Sequence, residues 1–164
     1  MKLSENFDLR EFVPQSTYNK YGVNARWFVS ALMVNVAEFY KEFFGNYYKI
    51  KYPGKVKSVS IVVNNWHYGG NKQYSGYRPP DYTHGAKESQ HRHHNAFDCE
   101  IKINFLDDTS IEADYVEVHK VIQENESLFL SKGVTTVEDV KIAKGWLHTD
   151  FRWTGLSKVL IVGI

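Results

Sequence analysis

Ser89-Gln90-His91-Arg92-His93-His94-Asn95-Ala96-Phe97-Asp98 is the stretch from which the rest of the chain can be read. Its second half starts a strand. From Ala96 to Phe105, Ala96, Asp98, Glu100 and Lys102 alternate with Phe97, Cys99, Ile101 and Ile103. A period of two predicts one face in the core and the other at a cleft. Asp98 then stands at the start of a strand, a rigid mount for a ligand. His91 and Asp98 are separated by six residues, and a third candidate, His148, lies in Trp146-Leu147-His148-Thr149-Asp150. Neutral imidazole and carboxylate suit a borderline-soft divalent metal. Two His and one carboxylate, with water in the fourth position, form a recurrent catalytic zinc set. The spacing by itself is common. Three of the seven His fall at 91, 93 and 94, and a His-rich tract also binds metal adventitiously.

Working outward, Trp146 to Trp153 reads as a second strand of the site. Alternation puts Trp146, His148, Asp150 and Arg152 on the cleft face, with Leu147 and Phe151 inward. Asp150 sits about 7 Å along the strand from His148. It is the first candidate for general base, and it is also placed to orient His148, a metal-bound water or a peptide amine. Lys55 to Asn64 is a third strand, enriched in β-branched residues, and Lys158 to Val162 a short one that closes the sheet. The polar, Gly-rich run Asn64–Asn71 is a loop of the kind that carries binding residues. Asn24 is the expected cap of a buried helix over Ala25–Phe44, stopped by Gly45-Asn46. Asp107–Ser110 is expected to cap a second helix over Ile111–Glu124. Residues 1–22 read as an extended lead-in with Pro14, Gln15 and Ser16 marking loop, and Ser127–Gly145 as strand and connection. The expected architecture is α+β, an antiparallel sheet of about four strands with helices packed on it, in a single domain over residues 1–164.

Composition bounds the function. The chain has 164 residues, enough for a real core. Its net charge is +1, from 20 basic and 19 acidic residues, which leaves no electrostatic footprint for nucleic acid. Aromatic residues make up 15%, and Tyr and Trp serve half-wet grooves as well as cores. The single Cys99 excludes an internal disulfide framework and reads as a small buried thiol. No run reaches the roughly 18 apolar residues of a membrane span. The start, Met1-Lys2-Leu3-Ser4-Glu5-Asn6, lacks the apolar region of a secretory signal. The expected localisation is therefore cytoplasmic synthesis, with release through a holin or carriage in a virion if the substrate is cell wall.

Four short motifs, in order, carry a resemblance. Ser89, His91, Ala96 and Asp98 match the S-x-H-x-x-G-x-A-x-D signature of the D-alanyl-D-alanine carboxypeptidase and L-alanyl-D-glutamate endopeptidase family. That family shares its core with hedgehog domains. Ser75-Gly76-Tyr77-Arg78-Pro79-Pro80 is similar to its S-G-Y/F-R-x-P turn, Trp146-Leu147-His148-Thr149-Asp150 to its W-x-H-x-D strand, and Asn6–Phe12 to its F-x-L-x-E-F opening. The resemblance implies a hedgehog/DD-peptidase-like fold, zinc on His91, Asp98 and His148, and hydrolysis of a peptidoglycan stem peptide, as in phage endolysins. It implies that Arg78 stabilises the tetrahedral oxyanion. Ser89 would hydrogen-bond a substrate carboxylate or orient a ligand. Trp66, Tyr68, Tyr77 and Trp146 are candidates to line the groove. Two positions depart from the family. Its signature Gly is His94 here, and Gly145 stands where many members carry the acidic general base. Both departures favour an alternative, a zinc-binding structural or interaction domain without turnover. A third class, a binding domain with incidental histidines, predicts no stoichiometric metal.

Overall fold

The computed structural model describes residues 1–163. Strand β2 (Ala96–Phe105) is the spine. Its first half pairs antiparallel with β5 (Leu147–Asp150), and its second half with both β1 (Val56–Val62) and the short β3 (Ser110–Glu112). Beyond β5 lie β4 (Thr136–Glu138), antiparallel to it, and β6 (Leu160–Val162), parallel to β4. The sheet is therefore mixed and six-stranded, in the order β1-β2-β5-β4-β6 with β3 on β2. This corrects the expectation of about four antiparallel strands, while the α+β class holds. The parallel pair arises because β5 lies between β4 and β2, so the chain leaves the sheet and re-enters beside β4 in the same direction.

Alternation in β2 is as expected: Phe97, Cys99, Ile101 and Ile103 are buried, while Asp98, Glu100 and Lys102 are half-buried on the other face. The inner face packs on helix α2 (Ala31–Lys51), whose Met33, Val36, Ala37, Tyr40, Phe44 and Tyr48 recur at three and four residues. Phe97 meets Phe12, Tyr40 and Phe151 in tilted and edge-on pairs. The hydroxyl of Tyr40 is satisfied in this core by Thr149 Oγ1 at 2.8 Å.

Several boundaries differ from the sequence reading. α2 is capped by Ser30, whose Oγ accepts from the Met33 N–H, and runs from Ala31 through Gly45-Asn46 to Lys51. Asn24 lies instead in a 3-10 stretch, Gly22–Phe28, and Trp27 is exposed. Gly in a helix costs only about 1 kcal/mol, and burying Tyr48 one turn later outweighs it. Asp107–Ser110 is a hairpin turn, not a cap: Asp108 is left-handed at φ 63°, and Asp107 Oδ1 accepts from the Thr109 N–H. The side chains that cap helices also close turns, and Asp114 caps the second long helix, α3 (Tyr115–Glu124). Pro14 precedes a short helix, α1 (Gln15–Tyr21), in the expected lead-in. Within 127–145 lie most of α4 (Glu126–Ser131) and β4. No described helix is long and apolar enough to cross a membrane.

Candidate metal centre

The antiparallel register of β2 and β5 sets Asp98 directly opposite His148. Opposite residues project from the same face of a sheet. His91 arrives from a 3-10 turn, Gln90–His93, just before β2, and is 1% exposed. One ligand atom from each of His91, Asp98 and His148 lies within 4.8 Å of the others. His148 Nδ1 is 2.7 Å from Asp98 Oδ1, and His91 Nε2 is 3.3 Å from both.

The far side of each ligand is held. His91 Nδ1 is 2.7 Å from the Gly76 carbonyl, which only accepts, so Nδ1 carries the proton and Nε2 keeps its lone pair for the centre. His148 Nε2 faces Asp150 Oδ2 at 3.4 Å, leaving Nδ1 toward Asp98. Arg78 Nη2 donates to Asp98 Oδ2 at 2.7 Å, so Oδ1 is the inner oxygen. Such outer partners orient metal-bound His and carboxylates. Two imidazole nitrogens and one carboxylate oxygen, converging from held rings, can hold a divalent metal ion.

Electrostatics show the same convergence. Burial opposes ionisation of Asp98, but the charges and hydrogen bonds of His91 and His148 hold its carboxyl far below the ordinary range. Burial pushes the Asp150 carboxyl up, and the hydrogen bonds of His148 and Arg152 bring it below its usual value. Burial lowers His148, but hydrogen bonds to Asp150 and Asp98 outweigh it, and the ring is raised from 6.5 to about 9. The proton on His148 stabilises the metal-free fold below about pH 6.5, and that contribution is lost as pH rises through about 9. A metal must displace that proton. Zinc affinity is therefore expected to climb by roughly tenfold per pH unit from pH 6 to 8, as titration against a chromophoric chelator would measure. A flat profile would mean that Nδ1 of His148 is not a ligand.

The remaining expected residues fall as follows. Arg78 is anchored by its Nε to the Tyr74 carbonyl at 2.8 Å and by Nη2 to Asp98, while Nη1 makes neither bond. Asp150 is fully buried and clamped by Arg152, whose Nε lies 2.8 and 3.0 Å from its two oxygens and whose Nη2 also reaches Oδ2. Its carboxylate is thus engaged on both sides. Ser89 is half-buried at the start of the 3-10 turn, and its hydroxyl does not cap it. Glu100, on the same face as Asp98, is paired with Lys72 and lies 3.5 Å from Lys102. Glu100 and Lys72 border a cavity of about 190 Å³ with Asp98, Ser75 and Trp146. Of the other expected groove aromatics, Tyr77 is buried, stacked on Phe28, and Trp66 is tied to the Val13 carbonyl at 2.9 Å. Tyr68 is exposed.

His94 keeps the left-handed turn, at φ 59° and ψ 29°. The departure from Gly leaves the turn in place because the ring packs against Tyr77 and Phe28, at centroid distances of 4.9 and 5.7 Å. His93 is exposed, and neither it nor His67 joins the metal set. At Gly145 a Cβ would meet nothing within 4 Å, so the position is open but empty of chemistry. Gly76, which contacts His91, and Arg152, which contacts Asp150, are the neighbours of the cluster that the sequence left without a role. Gly76 had a signal in the S-G-Y-R turn, and Arg152 in its place on the His148 face.

Comparisons with protein-family models, with curated proteins and with solved structures found no match to this chain.

Proposed function

We propose that this chain is a zinc-dependent peptidase acting on the stem peptide of peptidoglycan. The observation that carries the reading is the convergence of His91 Nε2, Asp98 Oδ1 and His148 Nδ1, each with its far side anchored. The resemblance of Ser75–Pro80, Ser89–Asp98 and Trp146–Asp150 to the DD-peptidase motifs supplies the substrate class. Zinc at such a centre acidifies bound water and polarises a carbonyl. The chain's own residues do the rest. Arg78 fixes the outer oxygen of Asp98, and its Nη1 is the group left to receive the developing oxyanion. Ser89 would donate to a substrate carboxylate at the mouth of the site. Asp150 orients His148, and its burial against Arg152 favours that role over proton transfer to the substrate.

The test is a digest of purified peptidoglycan by the zinc-loaded protein, with and without chelator, read by mass spectrometry of released fragments. Cleavage that disappears with chelator is expected, and the fragment masses name the bond, D-Ala-D-Ala or L-Ala-D-Glu.

One observation favours a second reading, a zinc-binding structural or interaction domain without turnover. Asp98, Asp150 and Glu100 are each engaged by basic side chains, and Gly145 offers no carboxylate. Bound zinc with no cleavage in the same digest would select it.

A further inference from the structure

We propose that Arg152 is a positioning residue of the metal centre, acting through Asp150 to hold the ring of His148 with Nδ1 toward the metal. The inference rests on the metal-binding part of the reading above and is independent of whether any peptide is cut. Three observations carry it. Asp150 is 0% exposed, so its carboxylate has no water to solvate it. Arg152 spans both of its oxygens, with Nε at 2.8 and 3.0 Å and Nη2 on Oδ2. The same Oδ2 faces His148 Nε2 at 3.4 Å, on the side of the ring opposite the centre.

The physical consequence follows from the geometry of the fork. A carboxylate alone can rotate about its Cβ–Cγ bond and offer either oxygen. A guanidinium lying along both oxygens removes that freedom. The backbone N–H of Arg152 adds a third tie, at 3.2 Å to Oδ1. With Oδ2 fixed, the imidazole has one acceptor at one place for its Nε2–H. Flipping the ring would bring Nε2 to the metal and leave Nδ1–H without that acceptor. Arg152 also supplies the countercharge that a buried carboxylate requires. Its side chain is 38% exposed, so a substitution there opens no core cavity.

The experiment compares the parent with Arg152→Gln and Arg152→Lys in three readouts: zinc affinity by chelator competition, the visible spectrum of the cobalt-substituted protein, and the His148 ring tautomer by nitrogen-15 NMR. Loss of an outer partner typically weakens metal binding by about 10–100-fold. Arg152→Gln is expected to lose roughly tenfold in zinc affinity, with an altered cobalt spectrum and a mixed tautomer. Arg152→Lys keeps the charge but loses the fork, and should fall between. Unchanged affinity, spectrum and tautomer in Arg152→Gln would overturn the proposal. So would a lower melting temperature with those three readouts unmoved, the mark of a purely structural ion pair. If Arg152→Gln does not fold, Arg152→Lys decides by the same readouts. A parent that binds no zinc overturns this inference together with the metal reading. A parent that binds zinc without cutting peptidoglycan removes only the peptidase.

Discussion

Asp98→Ala is expected to abolish tight zinc binding, leaving the dialysed protein without stoichiometric metal. Asp98 supplies the inner oxygen of the centre and is the element that makes two neighbouring imidazoles compatible. Its Oδ1 lies 2.7 Å from His148 Nδ1 and 3.3 Å from His91 Nε2. Its Oδ2 carries Arg78, whose side chain is only 19% exposed. Truncation removes a ligand and also strands the Arg78 guanidinium, while His148 is left with Asp150 as its carboxylate partner. Leaving a buried charge unpaired costs about 3–5 kcal/mol. The metal-free variant should therefore melt well below the parent. Asp98→Asn separates the two effects, because the amide keeps the shape and one acceptor but not the charge. It should fold better than the Ala variant and still bind zinc weakly. Elemental analysis after dialysis decides the matter, and full zinc occupancy in Asp98→Ala would remove Asp98 from the ligand set. His91→Ala and His148→Ala are expected to lose the metal in the same assay.

Gly76→Ala, a change of one methyl group, is expected to lower both stability and zinc affinity. A Cβ at this position would lie 2.2 Å from the carbonyl oxygen of Phe12 and 2.8 Å from its carbon, and backbone cannot rotate out of the way. The segment cannot retreat easily either. Ser75 N–H donates to Asn64 Oδ1, the Ser75 carbonyl accepts from Asp98 N–H, Tyr77 N–H donates to Phe12 O, and Arg78 N–H donates to His91 O. Gly76 is thus the one residue in a tightly laced turn that permits close approach. Its carbonyl is also the acceptor that fixes His91. Overpacking typically costs about 1–3 kcal/mol. A clash with main chain belongs at the upper end, which for a chain of this size is a fall of roughly 6–12 °C in melting temperature. Displacing the Gly76 carbonyl releases the His91 ring, so zinc affinity should fall as well. Calorimetry and the chelator titration read the two effects. A variant with the parent's melting point and affinity would mean that the turn is softer than its hydrogen bonds imply.

Much of the site was legible before the fold was known. Period-two alternation placed Asp98 and Glu100 on one face of β2, and His148 and Asp150 on one face of β5; the strand expected over Trp146–Trp153 is shorter, Leu147–Asp150, and Arg152 lies just beyond its end. Alternation reports which side is buried, and burial is the strongest constraint on a strand. The opposition of Asp98 and His148 was not legible, because it depends on register between segments fifty residues apart. The meaning of Asp150 changed for a related reason. As a same-face acid near a metal ligand it reads as a base. Complete burial and the bonds of Arg152 engage its carboxylate, which is why the anchoring role is the one proposed above. His94 shows the reverse case. The family signature has Gly at this position, yet packing against Tyr77 and Phe28 holds a His in the left-handed conformation.

By itself, then, the sequence determined the face of β2 that is buried, the α+β class and the existence of a long apolar helix. These are local patterns of polarity, and they hold in whatever order the strands pair. The tertiary structure decided the mixed sheet, the extension of α2 through Gly45, the hairpin at Asp107–Ser110, the close approach at Gly76 and the clamp of Arg152 on Asp150. Each of these depends on which surface a residue meets or how deeply it is buried. Turn and cap signals worth about 1 kcal/mol yield when burial of a neighbouring aromatic offers more.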